Sequence, residues 1–308
     1  MTTYTVNSGQ TSAGLALNTG DELDILSGGK ASGTVVNSDG YESINSGGIA
    51  SGTIVNSGGY EFIESGGIAS GTVVNSGGSV SIGSGGIASG TIVNSGGYEF
   101  IESGGIASGT VVNSGGSEYI GSGGIANGSI VNSGGSFNID LSSGSKVTGT
   151  NGEYIINGNT VHSGANLSLT LESGAAVSGL IINSGSYLDI NSGGIANGTV
   201  VNSGGYEYIG SGGIASGSIV NSGGSFDIDL SSGSKVTETN GEYVVNGNTV
   251  HSGANLSLTL ESGVSVSGLV IDSDSSLTIN SGATASGTVI NGQHLPNIGQ
   301  TFHLPFFS

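Results

Sequence analysis

Short apolar segments alternate with Ser-Gly-Gly corners along this chain and return to the same phase every 19 residues. The unit from Ser46 to Glu64, SGGIASGTIVNSGGYEFIE, is representative. A fixed period of about 20 to 50 residues is typical of repeat architectures, in which one unit cannot bury its apolar face alone. The same phase carries an asparagine in unit after unit: Asn37, Asn56, Asn75, Asn94, Asn113, Asn132, Asn202 and Asn221. The pattern therefore predicts stacked turns of chain with an asparagine ladder.

Each unit predicts two strands and two corners. The strands run over residues 49–56 and 60–64, and a Ser-Gly-Gly triplet follows each of them. Glycine adopts positive φ without steric cost and suits sharp corners, whereas the β-branched pairs favour strands over helix. A chain that turns at two corners per unit and returns to phase is a coil of β-rungs. We expect an all-β fold, a parallel β-helix or β-solenoid of about 19-residue rungs, on the order of 75 Å long for about sixteen rungs.

Comparison of the units separates inward from outward positions. The Thr53 position is leucine in irregular units, and the Val55 position is always aliphatic, which predicts that both side chains point inward. Ala50 and Ile63 are predicted to complete the other sides of a thin core. The Ile49 position is lysine in the first unit and threonine in the last, so it is predicted to face solvent, while Ile54 stays unassigned.

Aromatic side chains also keep to one phase and share a face by the period-2 rule of strands. Two explanations stay open: an exposed patch through which copies associate, or cross-strand stacking that only stabilises the sheet. The predicted self-association face consists of Tyr60, Phe62, Tyr98, Phe100, Tyr119, Tyr206 and Tyr208.

Glutamates occupy another phase, at Glu42, Glu61, Glu99, Glu118 and Glu207. Like charges on neighbouring strands repel each other, although apolar residues at this phase in other units dilute the effect. Calcium would neutralise such a column, but the nonapeptide calcium repeat is absent. We therefore predict a solvated acidic stripe.

Composition narrows the function classes. The chain has a formal net charge of −19, three lysines, no arginine and no cysteine, with 63 glycines among 308 residues. Nucleic acids and anionic membrane surfaces are therefore excluded as expected partners. No stretch approaches the roughly 18 apolar residues of a membrane span, and the first twenty residues lack a secretory signal pattern. We expect no membrane insertion.

Catalytic and metal chemistry find little support in the sequence. His162 and His251 occupy equivalent positions 89 residues apart, without a second ligand at metal-binding spacing. No carboxylate cluster or paired basic residue suggests glycoside chemistry. We predict no enzyme activity, no cofactor and no metal site.

The repeat breaks twice and then ends. The segments 136–182 and 225–271 are near copies that predict either enlarged rungs with protruding β-arms or simple loop expansions. The tail is predicted to cap the last rung, to dock on another copy, or to act as an export signal, through His294, Phe302, Phe306 and Phe307. The predicted organisation is an N-terminal cap and first rung at 1–27, regular repeats at 28–135, the first irregular module at 136–182, repeats at 183–224, the second module at 225–271, the last rung at 272–291, and the tail or cap at 292–308.

The repeated motif SGG-x-A-x-G-T-x-V-N-SGG resembles the passenger repeat of the AIDA (diffuse-adherence adhesin) family of self-associating bacterial autotransporters, over residues 11–135, 172–224 and 261–291. The resemblance implies a right-handed β-helix outside the cell or on the bacterial surface, acting in aggregation, biofilm formation and adherence. It also implies heptosyltransferase-type glycosyltransferases as partners, with Ser51, Thr53 and Ser57 as candidate O-glycan acceptors.

These observations support two main functional hypotheses. The first is a non-enzymatic adhesin that associates laterally with identical copies and with host or neighbouring cell surfaces, where weak contacts add along the repeat. The alternative is a subunit that polymerises end to end into a surface filament through its terminal rungs and tail. An ice-binding surface built on the Thr53 column is a third reading, which the inward phase of that column disfavours.

Overall fold

The computed structural model describes residues 2–150, 153–231, 234–239, 242–267, 270–272, 275–291 and 297–298. The described chain consists of short strands and turns, without a helix. It divides into two compact units: unit 1 comprises Met1–Leu141 and Ser145–Ser168, and unit 2 comprises Ser142–Gly144 and Leu169–Ser308. The boundary falls inside the strand Asn166–Leu171. The predicted β-solenoid is confirmed in both units.

Each regular turn of unit 1 contributes one strand to each of three faces. Face 1 consists of Thr3–Val6, Glu22–Ile25, Tyr41–Ile44, Tyr60–Ile63, Ser79–Ile82, Tyr98–Ile101, Ser117–Ile120 and Ser136–Leu141. Face 2 consists of Thr11–Ala13, Lys30–Ser32, Ile49–Ser51, Ile68–Ser70, Ile87–Ser89, Ile106–Ser108 and Ile125–Asn127. Face 3 consists of Ala16–Leu17, Val35–Val36, Ile54–Val55, Val73–Val74, Ile92–Val93, Val111–Val112 and Ile130–Val131.

Unit 2 repeats these faces at the equivalent positions. Its face 1 consists of Tyr187–Ile190, Tyr206–Ile209, Ser225–Leu230, Asn255–Leu260, Ser275–Ile279 and Asn297–Ile298. Its face 2 consists of Ala176–Ser178, Ile195–Asn197, Ile214–Ser216, Ser265–Ser267 and Thr284–Ser286. Its face 3 contains Ile181–Ile182, Val200–Val201, Ile219–Val220, Val270–Asp272 and Val289–Asn291.

Neighbouring turns pair in parallel, and equivalent residues of successive repeats lie side by side. Tyr60, for example, pairs with Tyr41 on one side and Ser79 on the other. This register stacks each repeat position into a column, so a property of one position is displayed on every turn.

The Ser-Gly-Gly corner has a steric reason. Gly58 has a φ of 75°, which L side chains rarely adopt. A Cβ at Gly59 would overlap the backbone carbonyl oxygen of Val36 in the turn below. The first glycine therefore permits the bend, and the second permits the close approach of successive turns.

The core is thin, because each face contributes only one or two inward columns. Ala50, Thr53, Val55 and Ile63 are 0–1% exposed, as the comparison of repeats predicted. The inward position of Thr53 also removes the flat threonine surface that an ice-binding function would need.

The asparagine ladder is confirmed. The side-chain Nδ2 of Asn75 donates to Oδ1 of Asn56 at 3.0 Å, and Nδ2 of Asn94 donates to Oδ1 of Asn75 at 3.0 Å. Equivalent bonds join Asn202 to Asn183 and Asn221 to Asn202 in unit 2. Each inner amide thus bonds to the turns above and below.

The irregular segments form antiparallel arms on face 3. In unit 1, Val147–Thr150 pairs with Glu153–Ile156, which pairs with Asn159–Val161. In unit 2, Val236–Thr239, Glu242–Val245 and Asn248–Val250 pair in the same way. Asn159 anchors its arm, because its buried Oδ1 accepts from the backbone N–H of Ser129 at 2.9 Å.

Candidate interaction surfaces

Face 1 of unit 1 gathers most of the predicted aromatic residues on its outer side. The rings of Tyr60 and Phe62 stack at a centroid distance of 6.4 Å, and those of Tyr98 and Phe100 at 6.3 Å. Phe100 also contacts Tyr119 at 6.1 Å. Tyr98, Phe100 and Tyr119 are 41–45% exposed, whereas Tyr60 and Phe62 are half-buried.

The two predicted tyrosines of unit 2 have a different environment. The hydroxyl of Tyr206 donates to Oδ2 of Asp227 at 2.7 Å, and the hydroxyl of Tyr208 donates to Oδ2 of Asp229 at 2.8 Å. The Asp229 hydrogen bond, with partial burial, raises the pKa of Tyr208 to about 12. These rings are held in a polar network along face 1.

The prediction of a solvated acidic stripe is wrong. Glu42, Glu61, Glu99, Glu118 and Glu207 are all 0% exposed and point into the core. A hydroxyl of the residue that immediately precedes the face 3 strand of the same turn donates to each carboxyl. The hydroxyls of Thr53 and Thr110 donate to Glu42 and Glu99 at 2.8 Å, and that of Ser218 donates to Glu207 at 3.1 Å.

Burial makes these carboxyls weaker acids than exposed glutamates. Desolvation raises the pKa of Glu42 and Glu99, and it raises the pKa of Glu207 to about 7. The parallel register places Glu61 beside Glu42 and Glu118 beside Glu99. Desolvation, and to a smaller extent the neighbouring carboxyl, therefore raises the pKa of Glu61 and of Glu118 well above the usual range. One oxygen of each of the five carboxyls has no hydrogen-bond partner. The inner column therefore favours protonated glutamates.

A sequence signal for this column existed. The same position is occupied by Leu23, Val80, Phe137, Leu188 and Phe226 in other turns. Alternation of glutamate with large apolar residues at one repeat position indicates an inward position, and its two-residue spacing from the buried Ile63 column agrees with this.

Between Ile49 and Val131, faces 2 and 3 of unit 1 expose a series of isoleucine side chains. Ile49, predicted to face solvent, is 36% exposed, and Ile54 is also 36% exposed. From Ile49 to Val131, no strand of face 2 or face 3 contains a charged residue. We call the following side chains, 36–45% exposed, the isoleucine surface: Ile49, Ile54, Ile68, Ile87, Ile92, Ile125 and Ile130.

The candidate glycan acceptors differ in accessibility. Ser57 is exposed at a corner and Ser51 is half-buried. Thr53 is 1% exposed and its hydroxyl donates to Glu42, so this candidate acceptor is not accessible in the folded chain. The predicted tail residues His294, Phe302, Phe306 and Phe307 lie outside the described residues.

The two histidines pair with glutamates on the arms. Nδ1 of His162 lies 3.4 Å from Oε1 of Glu153, and Nδ1 of His251 lies 3.2 Å from Oε2 of Glu242. Within the described ranges, no three His, Cys, Asp or Glu side chains group closely enough to hold a metal ion. The same part of the chain has no helix long and apolar enough to cross a membrane.

Known proteins resemble the chain in its repeat sequence. The family model AIDA, described as the adhesin of the bacterial autotransporter system, probable stalk, matches residues 2–59 and 56–116. A solved structure, the TibC-catalysed hyper-glycosylated TibA fragment 55–350, is 30% identical over 94% of each chain, with a TM-score of 0.49. No curated protein matches the chain. On the basis of its repeat sequence, the chain belongs to the AIDA family of bacterial autotransporter adhesin stalks.

Proposed function

We propose that this chain is a non-enzymatic adhesin stalk whose copies associate side by side through the isoleucine surface. Stalks of this family act outside the cell, so the chain is extracellular or displayed on the bacterial cell surface. The observation that carries the proposal is the run of half-exposed isoleucines on faces 2 and 3 of unit 1.

The half-exposed isoleucines leave apolar side chains in contact with water. Soluble monomers rarely expose long contiguous apolar patches, and those that occur often mark interaction sites. Because successive turns repeat in register, a contact that forms at one turn of two aligned copies can form at every turn. Weak contacts then add to give avidity.

The distribution of charge also favours association through the isoleucine surface. Two copies that each carry a formal net charge of −19 repel one another, and the exposed carboxylate of Glu102 lies next to face 1. Between Ile49 and Val131, faces 2 and 3 have no charged residue to desolvate. Association through the predicted self-association face, and end-to-end polymerisation into a filament, stay predicted alternatives.

The experiment compares matched double variants on the two faces. Ile68→Thr with Ile87→Thr keeps β-branched residues and copies Thr284, which occupies this repeat position in the last turn. Tyr98→Ser with Phe100→Ser removes two exposed rings. We expect the isoleucine variant to lose cell aggregation and to sediment as monomers, and the aromatic variant to behave as wild type. The opposite result would assign association to face 1.

Glycosylation is a second proposal. The TibA fragment was glycosylated by TibC, and we infer that a comparable glycosyltransferase would modify Ser57 and its exposed equivalents rather than Thr53. Intact-mass and peptide mapping of protein from its native host tests this. An unmodified mass, or a glycan on Thr53, would contradict it.

A further inference from the structure

Face 1 of unit 1 contains an open cleft of about 440 Å³. It is lined by Tyr60, Phe100 and Tyr119 together with Ser79 and Ser81. Glu102 also lines the cleft, and its Oε1 accepts from the hydroxyl of Ser81 at 2.9 Å. The volume is within the range of small-ligand sites, about 300 to 1,000 Å³.

The repeat sequence explains why a cleft forms here. The strand Ser79–Ile82 places serines at both outer positions, between two strands that carry tyrosine and phenylalanine there. The Tyr60 ring stacks on Tyr41 at 5.6 Å and on Phe62 of its own strand at 6.4 Å, whereas its partner in the next turn is the small Ser79. One turn with small side chains thus leaves a gap in an aromatic column.

We propose that this cleft binds an organic cation of the quaternary ammonium class. Aromatic faces attract a cation through the ring quadrupole when it lies within about 6 Å of the ring centroid. The strands that carry Tyr60 and Phe100 are two rungs apart, about 10 Å. In-register rings on neighbouring rungs are about 5.6 Å apart, as Tyr41 and Tyr60 show, so a cation above Ser79 lies one rung from Tyr60 and a cation above Ser81 lies one rung from Phe100.

The polar groups select for positive charge. Glu102 supplies a carboxylate, and none of the residues that form the cleft is basic. The formal net charge of −19 adds a long-range field that concentrates cations and repels anions. A phosphate or sulfate group would find no donor with a full positive charge here.

The experiment uses choline chloride as the probe and 3,3-dimethylbutan-1-ol as its neutral isostere, at fixed ionic strength. Ligand-observed saturation-transfer NMR on the full chain measures both. We expect choline to bind with a Kd on the order of millimolar and the neutral alcohol to bind about tenfold more weakly. Equal binding of the two probes would reduce the cleft to an apolar surface and overturn the proposal.

Variants locate the binding. Ser79→Tyr extends the tyrosine column into the gap, as Tyr41 and Tyr60 already stack, and should abolish choline binding without loss of the fold. Glu102→Gln should weaken choline about tenfold while leaving the alcohol unchanged. Tyr187→Ala is the matched control, because Tyr187 in unit 2 is 49% exposed and does not contribute to the cleft.

Other outcomes would refute the assignment. Unchanged choline binding by Ser79→Tyr would place the cation elsewhere. Methyl glucoside is tested as a third probe, since aromatic clefts with carboxylates also suit sugars. If methyl glucoside binds, if Ser79→Tyr abolishes that binding, and if choline does not bind, the cleft is a glycan site and the cation proposal fails.

Discussion

The buried glutamate of unit 2 predicts a specific pH dependence of stability. Glu207 is 0% exposed, between Leu188 and Phe226 in the inner column of face 1. Burial raises its pKa from 4.5 to about 7. The perturbation is Glu207→Gln, which keeps the shape of the side chain and the contact with Ser218 but cannot ionise.

The magnitude follows from linkage. A carboxyl whose pKa is higher in the folded state leaves stability intact below about pH 4.5, and stability falls as the pH rises through about 7. A rise of the Glu207 pKa from 4.5 to about 7 corresponds to about 3 kcal/mol of local stability, at 1.36 kcal/mol per pKa unit. Wild type should lose that amount between pH 4.5 and 8, and the glutamine variant should not.

Hydrogen exchange measured by mass spectrometry is the suitable assay, because repeat proteins open locally rather than in one transition. Amide protection in the strand Tyr206–Ile209, corrected for the intrinsic pH dependence of exchange, gives the local opening free energy. Asp189 and Asp227 flank this strand on its outer side, and desolvation raises the pKa of both. The difference between wild type and variant isolates Glu207 from them.

Glu242→Gln is the matched control, since Glu242 is an exposed glutamate of the same unit, 48% exposed. We expect it to leave the pH profile of strand Tyr206–Ile209 unchanged. If Glu207→Gln also leaves that profile unchanged, the carboxyl ionises in the fold without cost and the reasoning from burial is refuted.

Two further predictions concern the stack itself. Asn75→Ala removes two ladder hydrogen bonds and should destabilise unit 1 by about 2 kcal/mol, measured by local hydrogen exchange; no loss would show that the ladder is energetically neutral. Gly59→Ala should destabilise unit 1 by more than about 2 kcal/mol, because its Cβ would overlap the Val36 carbonyl oxygen. Gly121→Ala is the control and should cost little, since the nearest contacts of its Cβ would be at 3.6 Å. Thermal unfolding followed by circular dichroism compares the two variants, and equal melting temperatures would contradict the steric explanation.

Much of the fold could be predicted from the sequence because every position is sampled many times. The 19-residue period, the glycine corners and the asparagine phase indicate a parallel stack in register. Substitutions among repeats identified Ala50, Thr53, Val55 and Ile63 as core positions. In a solenoid the neighbour of a residue is its own equivalent, so local pattern and tertiary contact coincide.

The candidate surfaces were harder to predict. The sequence pointed to the aromatic residues as the association face, but Tyr206 and Tyr208 donate hydrogen bonds to aspartates. The isoleucines, which the sequence did not single out for association, form an uncharged exposed surface. Exposure of an isoleucine depends on which side of a two- or three-residue strand it occupies, and such short strands give too little alternation to decide that from one unit.

The sequence by itself determined the period, the corners and the thin aliphatic core. The sequence carried opposing signals for Glu42 and its equivalents, since apolar residues at the same repeat position favour the core whereas the cost of burying a carboxyl favours solvent, and the tertiary structure decided between them. The partner of Glu42, the hydroxyl of Thr53 eleven residues on, comes within 2.8 Å only when the chain has turned the corner and closed the core.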